Sequence, residues 1–247
     1  KDVYFVLPGG FKPPHKGHFR ILEDGVLGDM SGRIENPSEL SSAYHDKVNH
    51  ILIFIGNKPR SVKDQDGKVV SEITPEISKN LWELYLSTHP GFAGIPWKVE
   101  IKQEPMQAGF DLAGNPRGFK SSVYFMAVGE EDIFADVATK TRKSQSRWTS
   151  ILNDPKGKYP TAFVVYFGSI YRGTKSRNLV GCNPENREAC AEIFPEHIQN
   201  NPELLQKALE ILYKDLVFTK PEEEAPAVEV GEKEETNPEE LISKTGK

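Results

Sequence analysis

Gly9-Gly10-Phe11-Lys12-Pro13-Pro14-His15-Lys16-Gly17-His18, directly behind the apolar run Val3-Tyr4-Phe5-Val6-Leu7, decides how the rest of the chain is read. A short β-rich run closed by Pro8-Gly9-Gly10 predicts a buried strand entering a tight loop. Behind the loop, His18-Phe19-Arg20-Ile21-Leu22-Glu23 predicts the opening of a helix. Strand, glycine loop and helix start place unpaired backbone N–H groups at the positive end of a helix, where a phosphate binds well. His15 and His18, three residues apart, share one face there and add two ring N–H donors. The stretch therefore predicts an anion site suited to phosphoryl groups.

Outward from it, four further strands are predicted. They are His50 to Gly56, Trp97 to Ile101, Ser122 to Gly129 and Pro160 to Tyr166. Between them lie helical patterns, the clearest opened by Thr74-Pro75 with Ile77, Leu81, Leu84 and Tyr85 at helical spacing. Alternating strands and helices imply right-handed crossovers. The fold expected is α/β, a Rossmann-like parallel five-stranded sheet with helices on both faces. Ligands in such sheets bind beyond the carboxyl ends of the strands. The Gly9 loop, Lys58, Gly129 and the segment after Tyr166 all fall at that edge. The Gly-, Asn- and Pro-rich stretch from Gly25 to Pro37 reads as an inserted loop, a candidate lid. Trp82, Tyr85 and Trp97 read as core, and a helix is expected after Glu130-Glu131-Asp132.

The net charge of −5 is concentrated. Residues 219–247 hold nine Glu and four Lys, which leaves 27 acidic and 27 basic residues in the remainder. Residues 1–218 thus read as one neutral domain ending in helices, with the apolar stripe of Asn201 to Tyr213 the last of them. Residues 219–247 read as an acidic disordered tail or linker, suited to a tether to a protein partner or fused domain. A neutral domain argues against a broad nucleic-acid surface. No apolar run reaches the length of a membrane span and no signal segment opens the chain. A chain that begins at Lys1 with a strand at once is expected to be processed or cut from a longer one. Two cysteines, Cys182 and Cys190, make neither a disulfide framework nor a Cys-rich zinc site, and a cytoplasmic setting is expected.

The pattern Phe11-x-Pro13-x-His15-x-Gly17-His18 resembles the first motif of the HIGH-motif nucleotidyltransferases, the cytidylyltransferase-like superfamily. Gly173-Thr174-Lys175-Ser176-Arg177 resembles the late S-G-T-x-x-R motif of that superfamily, which follows the fifth strand and opens a helix; here Arg172 stands in place of the Ser. The resemblance runs over about residues 2 to 200 and continues in a helix reaching Ile193-Phe194-Pro195. It implies attack by a phosphate or phosphonate oxygen on the α-phosphorus of a nucleoside triphosphate, with pyrophosphate leaving and no covalent enzyme intermediate. That reaction asks for positioning and charge stabilisation. On this reading His15, His18, Lys12, Arg177 and Thr174 are catalytic. Gly9, Gly10, Phe11, Gly17, Gly129, Gly173 and Arg172 bind the nucleotide. Either Glu131 or Asp132 stands for the acid of a Gly-x-Asp element, with Glu131 at the Asp position. Lys58 and Arg60 hold the acceptor, and the basic run Lys140, Arg142, Lys143 and Arg147 reads as a solvated face.

Mg²⁺ is implied as the cofactor, bridging the triphosphate through oxygens and water without a protein ligand motif. The late Gly-Thr-x-x-Arg form resembles adenylyltransferases more than cytidylyltransferases, so AMP transfer from ATP is favoured over CMP transfer from CTP. The acceptor is a small phosphorylated metabolite. The rival expectation is a non-catalytic nucleotide-binding module tethered by its acidic tail to a larger assembly.

Overall fold

The structure, a computed structural model, describes residues 1–145, 148–154, 156–168, 171, 173–182, 186–214 and 216. Arg147, Arg172 and the tail 219–247 lie outside the described residues. The elements in order are β1 (Asp2–Gly9), α1 (Lys16–Val26), α2 (Glu39–Tyr44), β2 (His50–Gly56), β3 (Arg60–Lys63), β4 (Val69–Ile73), α3 (Pro75–Thr88), β5 (Trp97–Lys102), α4 (Pro105–Ala113) and β6 (Ser122–Gly129). Then come α5 (Glu130–Ile133), β7 (Phe134–Asp136), β8 (Thr141–Arg142), α6 (Thr149–Leu152), β9 (Ala162–Phe167), α7 (Gly173–Cys182), α8 (Glu196–Gln199) and α9 (Pro202–Tyr213).

The main sheet has five parallel strands in the order β5-β2-β1-β6-β9. Strand order reverses between β1 and β6, so a crevice opens at the carboxyl ends of those two strands. Side chains alternate faces along each strand. Val3, Phe5 and Leu7 enter the larger core with α1, α3, α7, α8 and α9, whereas Val6, Tyr124, Met126 and Val128 enter a smaller one with α4 and α6. Helices thus cover both faces, as the alternating sequence pattern requires. Helix α3 starts where Thr74 accepts from the Ile77 N–H at 3.3 Å and Pro75 fills the first helical position. No helix among the described residues is long and apolar enough to cross a membrane.

Four expectations are corrected. The stretch from Gly25 to Pro37 is no lid. Its first two residues finish α1, and the rest is a strap along the outer edge of β9. Asn36 accepts from Val164 N–H at 2.8 Å and donates to the Ala162 carbonyl at 3.0 Å, while Glu35 N–H donates to Val164 at 2.9 Å. An edge strand has unmet backbone groups, and the strap meets them. After Glu130-Glu131-Asp132 the helix lasts one turn and yields to the hairpin β7–β8. Asp136 closes that hairpin by accepting from the N–H groups of Ala138 and Thr139, and Lys140 takes the left-handed φ of 54°.

The helix opened at Gly173 ends at Cys182, two residues before Pro184, and Arg187–Ile193 is a separate 3₁₀ segment. Trp82 and Tyr85 are core, but Trp97 is 36% exposed because β5 is the open edge of the sheet.

Candidate active site

The loop between β1 and α1 is shaped by its aromatic residue. Phe11 has a φ of 46°, a left-handed conformation unusual for a bulky side chain and common where a site stores strain. Its ring lies over Gly9, where a Cβ would stand 2.6 Å from it, so only glycine fits. The same ring meets Trp82 and His18 edge-on, at centroid distances of 5.5 and 4.9 Å. His15 caps α1. Its Nδ1 accepts from the His18 N–H at 3.4 Å, and Nδ1 of His18 accepts in return from the His15 N–H at 3.4 Å. The two rings stack at 3.6 Å.

This cap fixes a proton. His15 is 1% exposed, and burial, helped by the nearby Arg177 charge, lowers its pKa to about 3. The imidazole is neutral at pH 7. With Nδ1 occupied as an acceptor, the ring proton sits on Nε2. Nε2 is buried and has no hydrogen-bond partner among the described residues. His15 therefore presents one desolvated N–H donor that no described residue satisfies.

Cations gather beside it. Lys12, 3% exposed, donates from Nζ to the Gly10 carbonyl at 2.8 Å and to the Gly56 carbonyl, spanning the ends of β1 and β2. Burial first, and then the Arg60 charge, lowers its pKa to about 8. Arg177 of α7 donates to the Lys12 carbonyl at 3.2 Å and to the Thr174 hydroxyl at 3.2 Å, although it stands 165 residues from Lys12 in sequence. Its pKa too is lowered, by burial and then by Arg60. Gly173 sits between the two groups: a Cβ there would stand 3.3 Å from Arg177 Nη1 and 3.8 Å from His15 Nε2.

Helix α7 is held in place by Gly181, where a Cβ would stand 1.9 Å from the Lys63 carbonyl oxygen of β3. The hairpin β3–β4 carries Arg60 and the helix carries Arg177, so this close approach ties together the elements that carry the two cations.

Two clefts meet at Gly10. The first, of about 310 Å³, lies at the β1–β6 crevice and is lined by Gly9, Gly10, Phe11, His15, His18, Gly129, Glu131, Asp132 and Gly173 among others. The second, of about 450 Å³, lies beyond β2 and is lined by Gly10, Lys12, Lys58 and Arg60, with Asn57, Gln103, Met106 and Phe110. Most of the site residues expected from sequence thus divide between two adjoining spaces, while Arg177 lines neither and reaches the first only through its neighbour Gly173. Gly17 lines neither cleft but backs the first: a Cβ there would stand 3.0 Å from Tyr171 Cβ and 3.2 Å from the His15 ring. Thr174 is exposed and orients Arg177. Lys140 and Arg142 pair with Glu130 and Glu35, and Lys143 donates to the Glu131 carbonyl, and these three residues of the run line neither cleft.

Sequence reading missed Tyr171, which lines the first cleft, and the second cleft's polar and apolar floor. It also missed what α3 does for the loop, since Trp82 and Tyr85 carry no signal beyond core spacing. Among the described residues no group of three or more His, Cys, Asp or Glu side chains forms a metal cage.

No family model matches the chain. No curated protein matches it either. Among solved structures, the chain is similar to the Plasmodium falciparum nicotinic acid mononucleotide adenylyltransferase complexed with APC, at 10% identity and a TM-score of 0.44, over 89% of this chain and 99% of that one. The same adenylyltransferase complexed with NaAD is similar at 11% identity and a TM-score of 0.43, with the same coverage of both chains.

Proposed function

We propose that this chain transfers a nucleoside monophosphate from a nucleoside triphosphate to a small phosphorylated acceptor, releasing pyrophosphate. The reading is carried by one observation: the His15 Nε2, without a hydrogen-bond partner among the described residues, lies beside Gly173 together with the Arg177 guanidinium at the first cleft, and Lys12 lines the second cleft, which shares Gly10 with the first. Groups so placed answer charge that builds on a phosphoryl oxygen, and they are held before any ligand arrives. The triphosphate occupies the first cleft, with the α-phosphate at His15 and His18 and the leaving phosphates toward Arg177. The acceptor occupies the second, its phosphate between Lys58 and Arg60 and its body against Met106 and Phe110.

In the reaction an acceptor oxygen forms a bond to the α-phosphorus while the bond from that phosphorus to the bridging oxygen breaks. Pyrophosphate leaves with the electron pair. No side chain is consumed, so the protein supplies alignment and donors. ATP is favoured over CTP because Gly173-Thr174 followed by Arg177 resembles the adenylyltransferase form of the late motif. Mg²⁺ fits the donor set as a companion of the triphosphate: Glu131 and Asp132 are the carboxylates lining the first cleft and would hold it, with the phosphates and water as further oxygen donors. When bound it spreads phosphate charge.

The test mixes the protein with ATP or CTP, Mg²⁺ and a panel of phosphorylated acceptors, and follows pyrophosphate. Release that depends on both acceptor and protein, with ATP the better donor, is expected. Tight nucleotide binding with no pyrophosphate across the panel refutes the transferase and leaves a binding module.

A further inference from the structure

Tyr85 lies on α3, is completely buried and belongs to no part of the chemistry above. Its hydroxyl donates to the Pro14 carbonyl at 3.1 Å, across 71 residues of chain. Pro14 is the residue immediately before the His15 cap. Burial drives the Tyr85 pKa well upward, so the hydroxyl keeps its proton and remains a donor. One turn earlier on the same helix, Trp82 meets the Phe11 ring edge-on. The loop from Phe11 to Pro14 is thereby held at both ends by one helix. Tyr85 is itself anchored: its own carbonyl accepts from the His89 N–H at 3.2 Å.

What this grip controls is the direction of one N–H bond. His15 is fixed through its backbone, by the cap to His18, and through its ring, by stacking on His18. Both cap bonds are 3.4 Å, long for N–H donors. Caps of that length leave the ring's attitude to the backbone before it. Pro14 has no N–H of its own, so its carbonyl is its one strong hydrogen-bonding handle.

We propose that Tyr85 is a positioning residue, whose bond to Pro14 aims the His15 Nε2–H into the first cleft. The inference rests on the transferase reading for its kinetic consequence, but its structural consequence stands without it. A misplacement of reacting groups by ~1 Å costs up to about 100-fold in rate. Loss of one anchor of a loop held at two ends is expected to lower kcat about 10-fold. KM for the triphosphate changes about 2-fold or less, since the Lys12 ammonium keeps its bonds to the Gly10 and Gly56 carbonyls and Arg177 its bond to Thr174.

The experiment compares Tyr85→Phe with Tyr213→Phe. Both remove a buried hydroxyl and leave the ring; that of Tyr213 faces Cys190 Sγ at 3.0 Å, away from the loop. Both variants are expected to melt a few degrees lower, as losing one buried hydrogen bond predicts. Only Tyr85→Phe should lower kcat. Nitrogen NMR of the His15 ring provides the second readout: in Tyr85→Phe the Nδ1 and Nε2 shifts move toward each other as the fixed tautomer is lost, and in Tyr213→Phe they stay apart. Equal kcat for Tyr85→Phe and wild type, or an equal loss in both variants, overturns the proposal. If the wild type turns over no acceptor at all, the transferase reading fails alone, and unchanged His15 shifts in Tyr85→Phe would then overturn the positioning role.

Discussion

Binding of a triphosphate should draw a proton onto Lys12, and the structure sets how much. In the free protein the ammonium is buried against two carbonyls with Arg60 nearby, and its pKa falls from 10.5 to about 8. That shift means the charged form costs about 3 kcal/mol in the free site. A bound polyanion supplies the missing counter-charge and moves the pKa back up. The neutral fraction of the free enzyme then fixes the uptake: about 0.1 proton per site at pH 7, about 0.5 at pH 8 and about 0.9 at pH 9.

The sign follows from linkage. Binding that raises a pKa is favoured at low pH, so affinity falls about 10-fold between pH 7 and pH 9. Calorimetry at each pH, in buffers of different ionisation enthalpy and with a non-hydrolysable triphosphate, gives the uptake as a slope. The ligand's own terminal phosphate contributes equally to wild type and variant, and Lys12→Met removes the Lys12 contribution while Lys12→Arg keeps a fixed charge. A zero slope at pH 9, or the same slope in Lys12→Met, would refute the reasoning.

His15→Ala and His18→Ala should each lower pyrophosphate formation by about 10²–10³, the usual loss for one donor aimed at developing charge; a loss below tenfold in both would remove the imidazoles from the chemistry. Because the folded pKa of His15 is depressed to about 3, its neutral form adds stability that is present above pH 6.5 and is lost as pH falls toward 3. Wild type should therefore lose about 2 kcal/mol more than His15→Gln between pH 7 and pH 5, read from urea melts; parallel losses would mean His15 takes up its proton in the fold as readily as in the unfolded chain. Gly181→Ala drives a Cβ into the Lys63 carbonyl and should cost at least about 2 kcal/mol while separating α7 from the β3–β4 hairpin. Full stability and full turnover in that variant would show that Arg60 and Arg177 are placed some other way.

How much the sequence disclosed tracks how local each determinant is. The strand, the glycine loop and the two histidines are contiguous, and their spacing alone implies a helix start with two rings on one face, though not that His15 caps it. Arg177 was found through the resemblance of its motif, since nothing in spacing says that residue 177 returns to Lys12. The second cleft is built by the pairing of β2 with β5 and the approach of α4, so Asn57, Gln103 and Phe110 gave no signal one at a time. Tyr85 was hidden for another reason: an aromatic at helical spacing reads as core, which it is, and its hydroxyl's partner lies 71 residues away. The strap at Gly28 to Pro37 shows the limit of composition. Gly, Asn and Pro mark irregular backbone correctly, yet they do not say whether it covers a site or, as here, an edge strand.

The energetic pattern of the site argues for the kind of ligand independently of any motif. Lys12, His15 and Arg177 are all displaced toward their neutral forms, and burial is the first cause in each case. Burying three bases within reach of one another, with a fourth cation, Arg60, at the rim, lowers the stability of the free protein. A neutral ligand would leave the cost in place, and a single carboxylate would answer one base. A polyphosphate that reaches all three answers them together and restores each to its charged or hydrogen-bonded form. Saturation with inorganic tripolyphosphate should therefore raise the melting temperature more than saturation with phosphate, and Lys12→Met should narrow the gap. Equal stabilisation by the two anions would mean that the three bases do not act on one ligand, and the transferase assignment would fall with it.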